Sequence, residues 1–324
     1  MIRLARRALE LNDAFMPTLM FQSRMGARSR EIHTFGQRVH VLEAGPEDGE
    51  PLVLVHGAAG GAGWFWRSVP ALARAGRRVI LPDMPGYGES SRPAGNPPVS
   101  FAWYGEFLDH LLEAMDLSSV DLVGQSMGGG LCLSLALERP SRVRRLVLVA
   151  SAALGNEIAI PFKLMAVPFL RRVVTLPHPR VLRNFHANFL YGEPGWVDEE
   201  MLLYDLMSQS RPGSIETLLS MVHGAGSVPG ILLFGQHQVK LVDRLGTLKP
   251  PCLIIWGLKD RIVPVQQALE AARRIPNVRL ELIPEAGHMP HFETPERFTR
   301  ALLGFFEKTR VLEMPSDSPP RSAA

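Results

Sequence analysis

The stretch that decides the fold is Val120–Gly130, which reads VDLVGQSMGGG. Its apolar start is typical of a buried strand that ends at Gly124, and a helix is expected to begin just after Ser126. Residues Gly124–Gly128 therefore form the pattern G-x-S-x-G in a strand-to-helix turn. The glycines are needed because so sharp a turn brings neighbouring backbone close, where a Cβ atom would clash. The serine then projects at a helix N-terminus, whose free N–H groups can stabilise negative charge on a reacting oxygen.

Buried strands of the same kind recur on both sides of this turn, and helical patterns lie between several of them. We expect a leading antiparallel hairpin, with its turn near Phe35 and Gly36, and then parallel strands, at Glu31–Thr34, Gln37–Glu43, Pro51–Val55, Val79–Leu81, Val120–Val123, Val143–Val149, Cys252–Trp256 and Val278–Ile283. The core helices are expected at Phe101–Met115, Met127–Arg139, Val265–Arg274 and Pro295–Lys308. This alternation predicts an α/β fold, with a mostly parallel central sheet of about eight strands and helices on both faces.

The strand–helix alternation is interrupted between residues 152 and 249, where the pattern is helical and rich in Met, Phe and Leu. We interpret residues 152–249 as a helical cap over the carboxyl ends of the strands, where folds of this class bind ligands. An ordinary helical domain without a lid role is the alternative. The cap helices are expected at Pro161–Val174, Pro179–Leu190, Asp198–Ser210 and Ser214–His223.

The core then comprises residues 31–151 and 250–308, followed by a Pro/Ser-rich tail, residues 309–324, whose composition predicts disorder. Residues 1–30 are interpreted as an N-terminal helical extension that is Arg-rich and lacks the apolar run and cleavage site of a signal peptide. A helix packed on the body, a helix on a membrane surface and a targeting segment all fit this pattern. No stretch approaches the ~20 apolar residues of a membrane span. We therefore expect no integral span and at most weak membrane-surface contact.

The composition, with 46% hydrophobic and 21% charged residues, is ordinary for a soluble globular protein. The formal charge of +3 reflects a small arginine excess, without the interleaved basic and aromatic residues of a nucleic-acid groove. Cys132 and Cys252 lie in apolar runs and are interpreted as core residues, not as a bridge or a metal pair. Two such thiols fit a reducing compartment, so a cytoplasmic location is expected, with no nucleic acid as partner.

Five motifs resemble, in order, those of the α/β-hydrolase family, and the resemblance covers nearly the whole chain from Glu31 to Lys308. They are HGAAGG (His56–Gly61) as the oxyanion loop, LPDMPGYGES (Leu81–Ser90) as the D-x-x-G-x-G-x-S loop, GQSMGG (Gly124–Gly129) as the nucleophile elbow, WGLKDRIVP (Trp256–Pro264) as the acid loop and AGHMPHFETPE (Ala286–Glu296) as the histidine loop. The resemblance implies an α/β-hydrolase fold with a cap and hydrolysis through a Ser–His–Asp triad.

Ser126 is the expected nucleophile, and a serine at its free pKa needs a neighbouring base. His288 matches the family's histidine by motif, with His291 as its rival for the role of base. The acid that orients the imidazole is expected to be Asp260, which follows a strand and matches the acid loop. Some relatives place that acid after an earlier strand, where this chain has Ser151 and no carboxylate nearby.

The oxyanion hole is expected from two backbone N–H groups. Met127, directly after the nucleophile, supplies one, and the loop after His56 supplies the other, from Ala58 or alternatively from Ala59. His56 is expected to hold that loop by hydrogen bonds, and Asp83 is expected to brace the loop over the site. No metal or organic cofactor is implied.

The scheme predicts hydrolysis of a small acyl substrate through an acyl-enzyme. The apolar cap favours a carboxylic ester with an apolar group as the first candidate. HGAAGGAGW and WGLKDRIVP also resemble carbon–carbon bond hydrolases of ring-cleavage products, although those usually carry Asn where this chain has Gln125. A ligand-binding member of the fold with slow or no turnover is the third candidate. The sequence leaves the oligomeric state open.

Overall fold

The computed structural model describes residues 19–93, 99–155, 157, 175–224 and 241–309. Its strands are β1 (Arg28–Thr34), β2 (Gln37–Ala44), β3 (Glu50–Val55), β4 (Arg77–Pro82), β5 (Val120–Gln125), β6 (Val143–Val149), β7 (Cys252–Gly257) and β8 (Val278–Ile283). They form one sheet in the order β1-β2-β4-β3-β5-β6-β7-β8. The pairs β1–β2 and β2–β4 are antiparallel, and all other neighbours are parallel.

Helices connect the strands and build the cap. Within the described residues they are α1 (Leu19–Met25), α2 (Val69–Arg74), α3 (Phe101–Ala114), α4 (Met127–Glu138), α5 (Pro179–Phe185), α6 (Glu199–Ser210), α7 (Ser214–Gly224), α8 (Gln266–Arg274), α9 (Pro290–Glu293) and α10 (Pro295–Lys308). Short 3₁₀ turns lie at Ala62–Phe65, Pro140–Arg142 and Leu245–Thr247. The predicted α/β fold class with an eight-stranded, mostly parallel sheet is confirmed.

The hairpin at the sheet edge shows one difference from the prediction. Its turn lies at Phe35 and Gly36, as expected, and both have a positive φ, 51° and 66°, which suits the right-handed twist of a hairpin. The first strand, however, begins at Arg28, three residues inside the segment predicted as an N-terminal helical extension. Residues Arg28–Arg30 are exposed on an edge strand, so they show no apolar alternation that would indicate a strand.

The parallel part of the sheet is buried on both faces. All six residues of β5 and all six of β7 are buried, which requires covering layers on either side. Strand β3 lies between β4 and β5. The chain therefore places β4 on one side of β3 and β5 to β8 on the other side. The carboxyl ends of β3 and β5 therefore flank a topological switch point, where open α/β sheets bind ligands.

The described part of the cap consists of helices, as predicted, but one of them is interrupted. The expected helix Pro179–Leu190 is regular only to Phe185 and continues as a π-helical turn over His186–Leu190. Asp198 caps the next helix, because its Oδ1 accepts a hydrogen bond from Met201 N at 2.8 Å. The helix predicted over residues 161–174 lies outside the described residues.

Both cysteines are buried and unbridged, as predicted, and burial raises the pKa of each thiol. Among the described helices, none combines the length and apolar character that crossing a membrane requires. Residues 1–18 and 310–324, which carry most of the predicted N-terminal extension and disordered tail, lie outside the described residues.

Candidate active site

The turn at Ser126 has a strained backbone. Ser126 adopts φ 52° and ψ −119° between the end of β5 and the start of α4, a conformation that L-residues rarely adopt. Two backbone hydrogen bonds hold it there: Ser126 N donates to Val149 O at 2.9 Å, and Ala152 N donates to Ser126 O at 2.8 Å. The neighbouring strand β6 and the loop after it thus fix the serine at the carboxyl edge of the sheet.

The glycines around Ser126 are required by close backbone contacts. A Cβ atom at Gly124 would lie 2.3 Å from Gly128 O, and one at Gly128 would lie 2.3 Å from Val55 O. These neighbours are backbone atoms that cannot rotate away. The steric reason expected for the G-x-S-x-G pattern is therefore present in the structure.

His288 and Asp260 form a buried pair at the same edge of the sheet. His288 Nδ1 lies 2.9 Å from Asp260 Oδ2. The other carboxylate oxygen, Oδ1, accepts hydrogen bonds from Ile262 N at 2.8 Å and Val263 N at 2.9 Å. Because the carboxylate engages Nδ1, the Nε2 atom of the imidazole is left for proton transfer to a substrate or a nucleophile.

The backbone of His288 is hydrogen-bonded to the residue before Ser126 and to the cap. Gln125 Nε2 donates to His288 O at 3.1 Å, and His288 N donates to Leu190 O at 3.0 Å. The structure thus brings Asp260 and His288 together and links them to the residue before Ser126. Within the described chain, no hydrogen bond joins Ser126 Oγ to His288; such contacts are often long before substrate binds.

Unpaired backbone N–H groups lie beside Ser126. The N–H groups of Ala58, Ala59 and Met127 donate to no acceptor among the described residues. A Cβ atom at Gly57 would lie 3.1 Å from Ser126 Cβ, so the loop after β3 directly adjoins the serine. Free donors on both sides of a serine can stabilise an oxyanion. Both Ala58 and its alternative Ala59 remain candidates for the second donor.

His56 holds this loop, as predicted. Its Nε2 accepts a hydrogen bond from Met84 N at 3.0 Å, so its Nδ1 carries the proton and donates to Gly57 O at 2.8 Å. Burial lowers the pKa of His56, which favours the neutral ring that this pair of bonds requires. The side chain is a structural bridge between two loops of the site.

Asp83 braces the same region, also as predicted. Its carboxylate accepts hydrogen bonds from Ala62 N at 2.7 Å, Glu89 N at 2.9 Å and His40 Nδ1 at 2.9 Å. Burial raises the pKa of Asp83, but the hydrogen bond and positive charge from His40 outweigh it and lower the pKa overall. The loops after β3 and β4 are thereby joined through one carboxylate.

The rival histidine, His291, has an apolar environment. Its ring lies 4.6 Å from the ring of Phe65 and 6.0 Å from that of Phe298, measured between centroids. Neither ring nitrogen has a hydrogen-bond partner among the described residues. Burial, with a smaller effect of His288, lowers the pKa of His291 to about 3. A ring in this position lacks the carboxylate partner that His288 has.

Glu293 lies within the histidine loop, and no role for it is predicted from the sequence. Its carboxylate accepts hydrogen bonds from the backbone N–H groups of Gly192, Gly287 and Met289 at 2.7, 2.9 and 3.0 Å. Burial raises its pKa, although these backbone hydrogen bonds act in the opposite direction. Glu293 therefore shapes the loop that carries His288. A glutamate five residues after the histidine is the only signal the sequence offers for it.

A pocket separates the loop after β3 from the described cap. Its lining is mostly apolar, with His186 and Asp205 as a buried polar pair 3.0 Å apart. Neither residue belongs to a sequence motif, so the sequence predicts no role for them. The lining residues are Ala58, Ala59, Trp64, Thr175, Leu176, Val181, Leu182, Phe185, His186, Leu190, Asp205, Gln209, Ile215 and Leu218. In the described part of the chain, no group of three His, Cys, Asp or Glu residues could hold a metal ion.

The arrangement of strands, turn and loops matches a known family. The family profile of the alpha/beta hydrolase fold matches residues 50–295. This chain belongs to the α/β-hydrolase fold family. The matched range contains the nucleophile turn, the Asp260–His288 pair and the loop after β3, so the expected family is confirmed.

Relatives of this α/β hydrolase include ring-cleavage product hydrolases. The 2-hydroxy-6-oxo-6-phenylhexa-2,4-dienoate hydrolase of Burkholderia cepacia is 28% identical over 275 residues, which cover 83% of this chain and 91% of the relative. The 2-hydroxymuconate semialdehyde hydrolase of Pseudomonas putida is 31% identical over 303 residues, covering 87% and 95%. Among solved structures, a meta-cleavage product hydrolase from Pseudomonas fluorescens IP01 has a TM-score of 0.72 at 25% identity, covering 86% of this chain and 97% of that chain.

Proposed function

We propose that this α/β hydrolase cleaves its substrate through a covalent acyl intermediate on Ser126, with His288 as the base and Asp260 as the residue that orients it. The observation that carries the proposal is the His288–Asp260 pair, whose Nδ1 and Oδ2 atoms are 2.9 Å apart. It lies at the same sheet edge as a serine in a strained strand-to-helix turn. An oriented imidazole beside such a serine is what nucleophilic catalysis needs.

The reaction follows from these positions. His288 Nε2 takes the proton of Ser126 Oγ, and Oγ attacks the substrate carbonyl carbon. The N–H groups of Met127 and Ala58 stabilise the negative charge that develops on the carbonyl oxygen. His288 then gives the proton to the leaving group, and a water molecule, activated by the same histidine, releases the acid product.

The relatives support carbon–carbon bond hydrolysis as the leading substrate class. By name, they act on a 2-hydroxy-6-oxo-dienoate and on 2-hydroxymuconate semialdehyde. The apolar cap favours an ester as the first candidate, whereas the names of these relatives favour carbon–carbon bond hydrolysis. In such a substrate the electron pair of the broken carbon–carbon bond passes into the conjugated carbonyl system. The carbon that leaves is then protonated, so the same serine and histidine serve both substrate classes.

Carboxylic ester hydrolysis is the second candidate, and the cap pocket favours it. Among its described lining residues there is no lysine or arginine. A positively charged side chain of this kind would be the expected partner for the carboxylate of a dienoate. The apolar lining suits instead the apolar group of a neutral ester.

A substrate panel tests the order of the two classes. We would compare kcat/KM for 2-hydroxy-6-oxo-6-phenylhexa-2,4-dienoate with kcat/KM for p-nitrophenyl esters of two to eight acyl carbons. The leading proposal predicts that the dienoate is preferred by at least about 100-fold. The reverse ratio would assign the protein to the esterases. Negligible turnover of every substrate by a protein whose Ser126 still reacts with a fluorophosphonate would favour a ligand-binding member of the fold. The control is Ser126→Ala, which must abolish any turnover observed.

A further inference from the structure

The indole of Trp64 packs against the loop that carries the proposed oxyanion donors. A Cβ atom at Gly57 would lie 3.0 Å from Trp64 Cζ3, and one at Gly60 would lie 2.5 Å from Trp64 Cε2. The ring therefore contacts the loop on both sides of Ala58 and Ala59. Because backbone atoms of the loop rest directly on the ring, the position of the indole sets the position of these N–H groups.

The cap holds this indole in place. Trp64 Nε1 donates a hydrogen bond to Asp205 Oδ1 at 2.7 Å. Asp205 belongs to α6, and its other oxygen, Oδ2, lies 3.0 Å from His186 Nε2 in the π-helical turn. Asp205 and His186 are each only 1% exposed. A buried carboxylate makes strong, directional hydrogen bonds because water cannot compete for its oxygens.

We propose that Asp205 is a positioning residue that couples the cap to the oxyanion hole by fixing the Trp64 indole. The inference rests on the proposed function, since an oxyanion hole matters only if Ser126 attacks a carbonyl group. Ala59 has a left-handed backbone, with φ 62°, which a loop without support tends to relax. When the hydrogen bond from Trp64 to Asp205 is lost, the indole tilts and the N–H of Ala58 moves away from the developing oxyanion.

Loss of the hydrogen bond between Trp64 and Asp205 is expected to destabilise the transition state and to change substrate binding much less. The oxyanion donors act on charge that develops during the reaction, so their displacement lowers kcat and leaves KM nearly unchanged. The same displacement slows the reaction of Ser126 with a fluorophosphonate, because that reaction also places an oxygen in the hole. The phosphonylation rate therefore reports on the coupling without knowledge of the natural substrate.

Three variants test the coupling. Trp64→Phe keeps a ring but removes the N–H donor, and Asp205→Ala removes the acceptor; each is expected to slow phosphonylation by about 10- to 100-fold. Asp205→Asn keeps an oxygen for Trp64 and an amide group beside His186 Nε2, so it is expected to stay within about threefold of the wild type. The double variant Trp64→Phe/Asp205→Ala is expected to react no more slowly than the slower single variant, because each change removes the same hydrogen bond between Trp64 and Asp205.

Asp198→Ala is the matched control. Asp198 caps α6, the helix that contains Asp205, and it pairs with Arg67 Nη2 at 2.7 Å. Among the described residues, no hydrogen bond or ion pair joins Asp198 to the loop that carries Ala58. This variant is expected to lower the thermal midpoint and to leave the phosphonylation rate unchanged. Equal slowing by Asp198→Ala and Asp205→Ala would overturn the coupling, since general weakening of the cap would then explain both.

Two further outcomes separate this inference from the proposed function. Wild-type rates in both Trp64→Phe and Asp205→Ala, with normal labelling of Ser126, would overturn the coupling alone. A wild-type protein whose Ser126 does not react with the fluorophosphonate would overturn the proposed function and the coupling with it. Slow phosphonylation in Trp64→Phe and Asp205→Ala, with rescue in Asp205→Asn, supports the coupling.

Discussion

Three buried histidine–aspartate pairs lie in the described part of the chain, and the comparison of two of them, one in the core and one in the cap, is the most informative. In the core, His288 Nδ1 is 2.9 Å from Asp260 Oδ2, and in the cap, His186 Nε2 is 3.0 Å from Asp205 Oδ2. All four side chains are at most 3% exposed. Distance and burial are thus the same, and neither quantity distinguishes a catalytic pair from a positioning one.

The second oxygen of each carboxylate does distinguish the pairs. Asp260 Oδ1 binds backbone N–H groups of its own loop, so that pair is held beside the nucleophile turn by local structure. Asp205 Oδ1 binds the Trp64 indole, 141 residues away in the chain. We infer that the first pair moves protons, whereas the second transmits the position of the cap to the core.

The backbone differs between the two regions as well. Four non-glycine residues at the carboxyl edge of the sheet have positive φ: Ala59, Ser126, Ala150 and Ala153. Among residues 175–224, which form the described helical part of the cap, only Gly195 and Gly213 have positive φ. Strain at a reactive position is typical of sites whose geometry is held by surrounding structure.

The largest expected effect separates the two pairs directly. Asp260→Asn should lower kcat by about 10⁴-fold, because an amide there favours the wrong imidazole tautomer for proton transfer. Asp205→Asn should leave kcat within about threefold, because the amide still accepts the Trp64 N–H. Steady-state kinetics on the preferred substrate measures both. Similar losses in the two variants would show that the pairs do not differ in role.

A smaller effect tests the strain at Ser126. Ser126→Gly should be more stable than Ser126→Ala by about 1–2 kcal/mol, because glycine adopts this φ and ψ without strain. Both variants lack the hydroxyl group, so its loss does not contribute to the difference between their free energies of unfolding. Urea unfolding gives the two free energies.

The cap offers the matched control at Ser208, a buried residue of α6 whose hydroxyl has no partner among the described residues. There Ala should be more stable than Gly by about 1 kcal/mol, because glycine weakens a helix interior. If glycine were the less stable variant at both positions, the backbone of Ser126 would not be strained.

The last effect concerns His291, the histidine that has no carboxylate partner. The pKa of His291 in the folded protein, about 3, lies below the ordinary value of 6.5. Between these two pH values His291 binds a proton in the unfolded chain but not in the folded chain. The free energy of unfolding should therefore fall as the pH drops from 6.5 towards 3, by up to about 1.4 kcal/mol per pH unit from this group. His291→Phe should remove that part of the slope in urea unfolding between pH 7 and pH 5.

Phe65→Leu, at a ring in contact with His291, is the control for this experiment. It should lower the free energy of unfolding by a similar amount at both pH values and keep the wild-type slope. An unchanged slope in His291→Phe would mean that His291 titrates in the folded protein over the same pH range as in the unfolded chain.

Much of the core could be predicted because its signals are local. The buried strand Val143–Val149 and the helix Pro295–Lys308 have the predicted ends, since apolar runs and a Thr-Pro helix start fix them within a few residues. The order of the five motifs likewise indicates where Ser126, Asp260 and His288 lie relative to the sheet. Strand β1 was predicted to begin too late because Arg28–Arg30 are polar residues on an exposed edge.

The coupling between cap and core could not be predicted, because its partners lie far apart in the sequence. Trp64, His186 and Asp205 belong to no common motif, and their contacts depend on how the cap packs on the sheet. The π-helical turn at His186 also interrupts a pattern that predicts one regular helix. Such a turn depends on tertiary packing that local periodicity does not encode.

The most direct test of the central claim locates the nucleophile. The wild-type protein would be reacted with a fluorophosphonate, digested and analysed by tandem mass spectrometry, beside Ser126→Ala treated in the same way. We expect one adduct per chain, on Ser126, and no adduct or substrate turnover in Ser126→Ala. An adduct on another residue, or substrate turnover in Ser126→Ala at the wild-type rate, would contradict it.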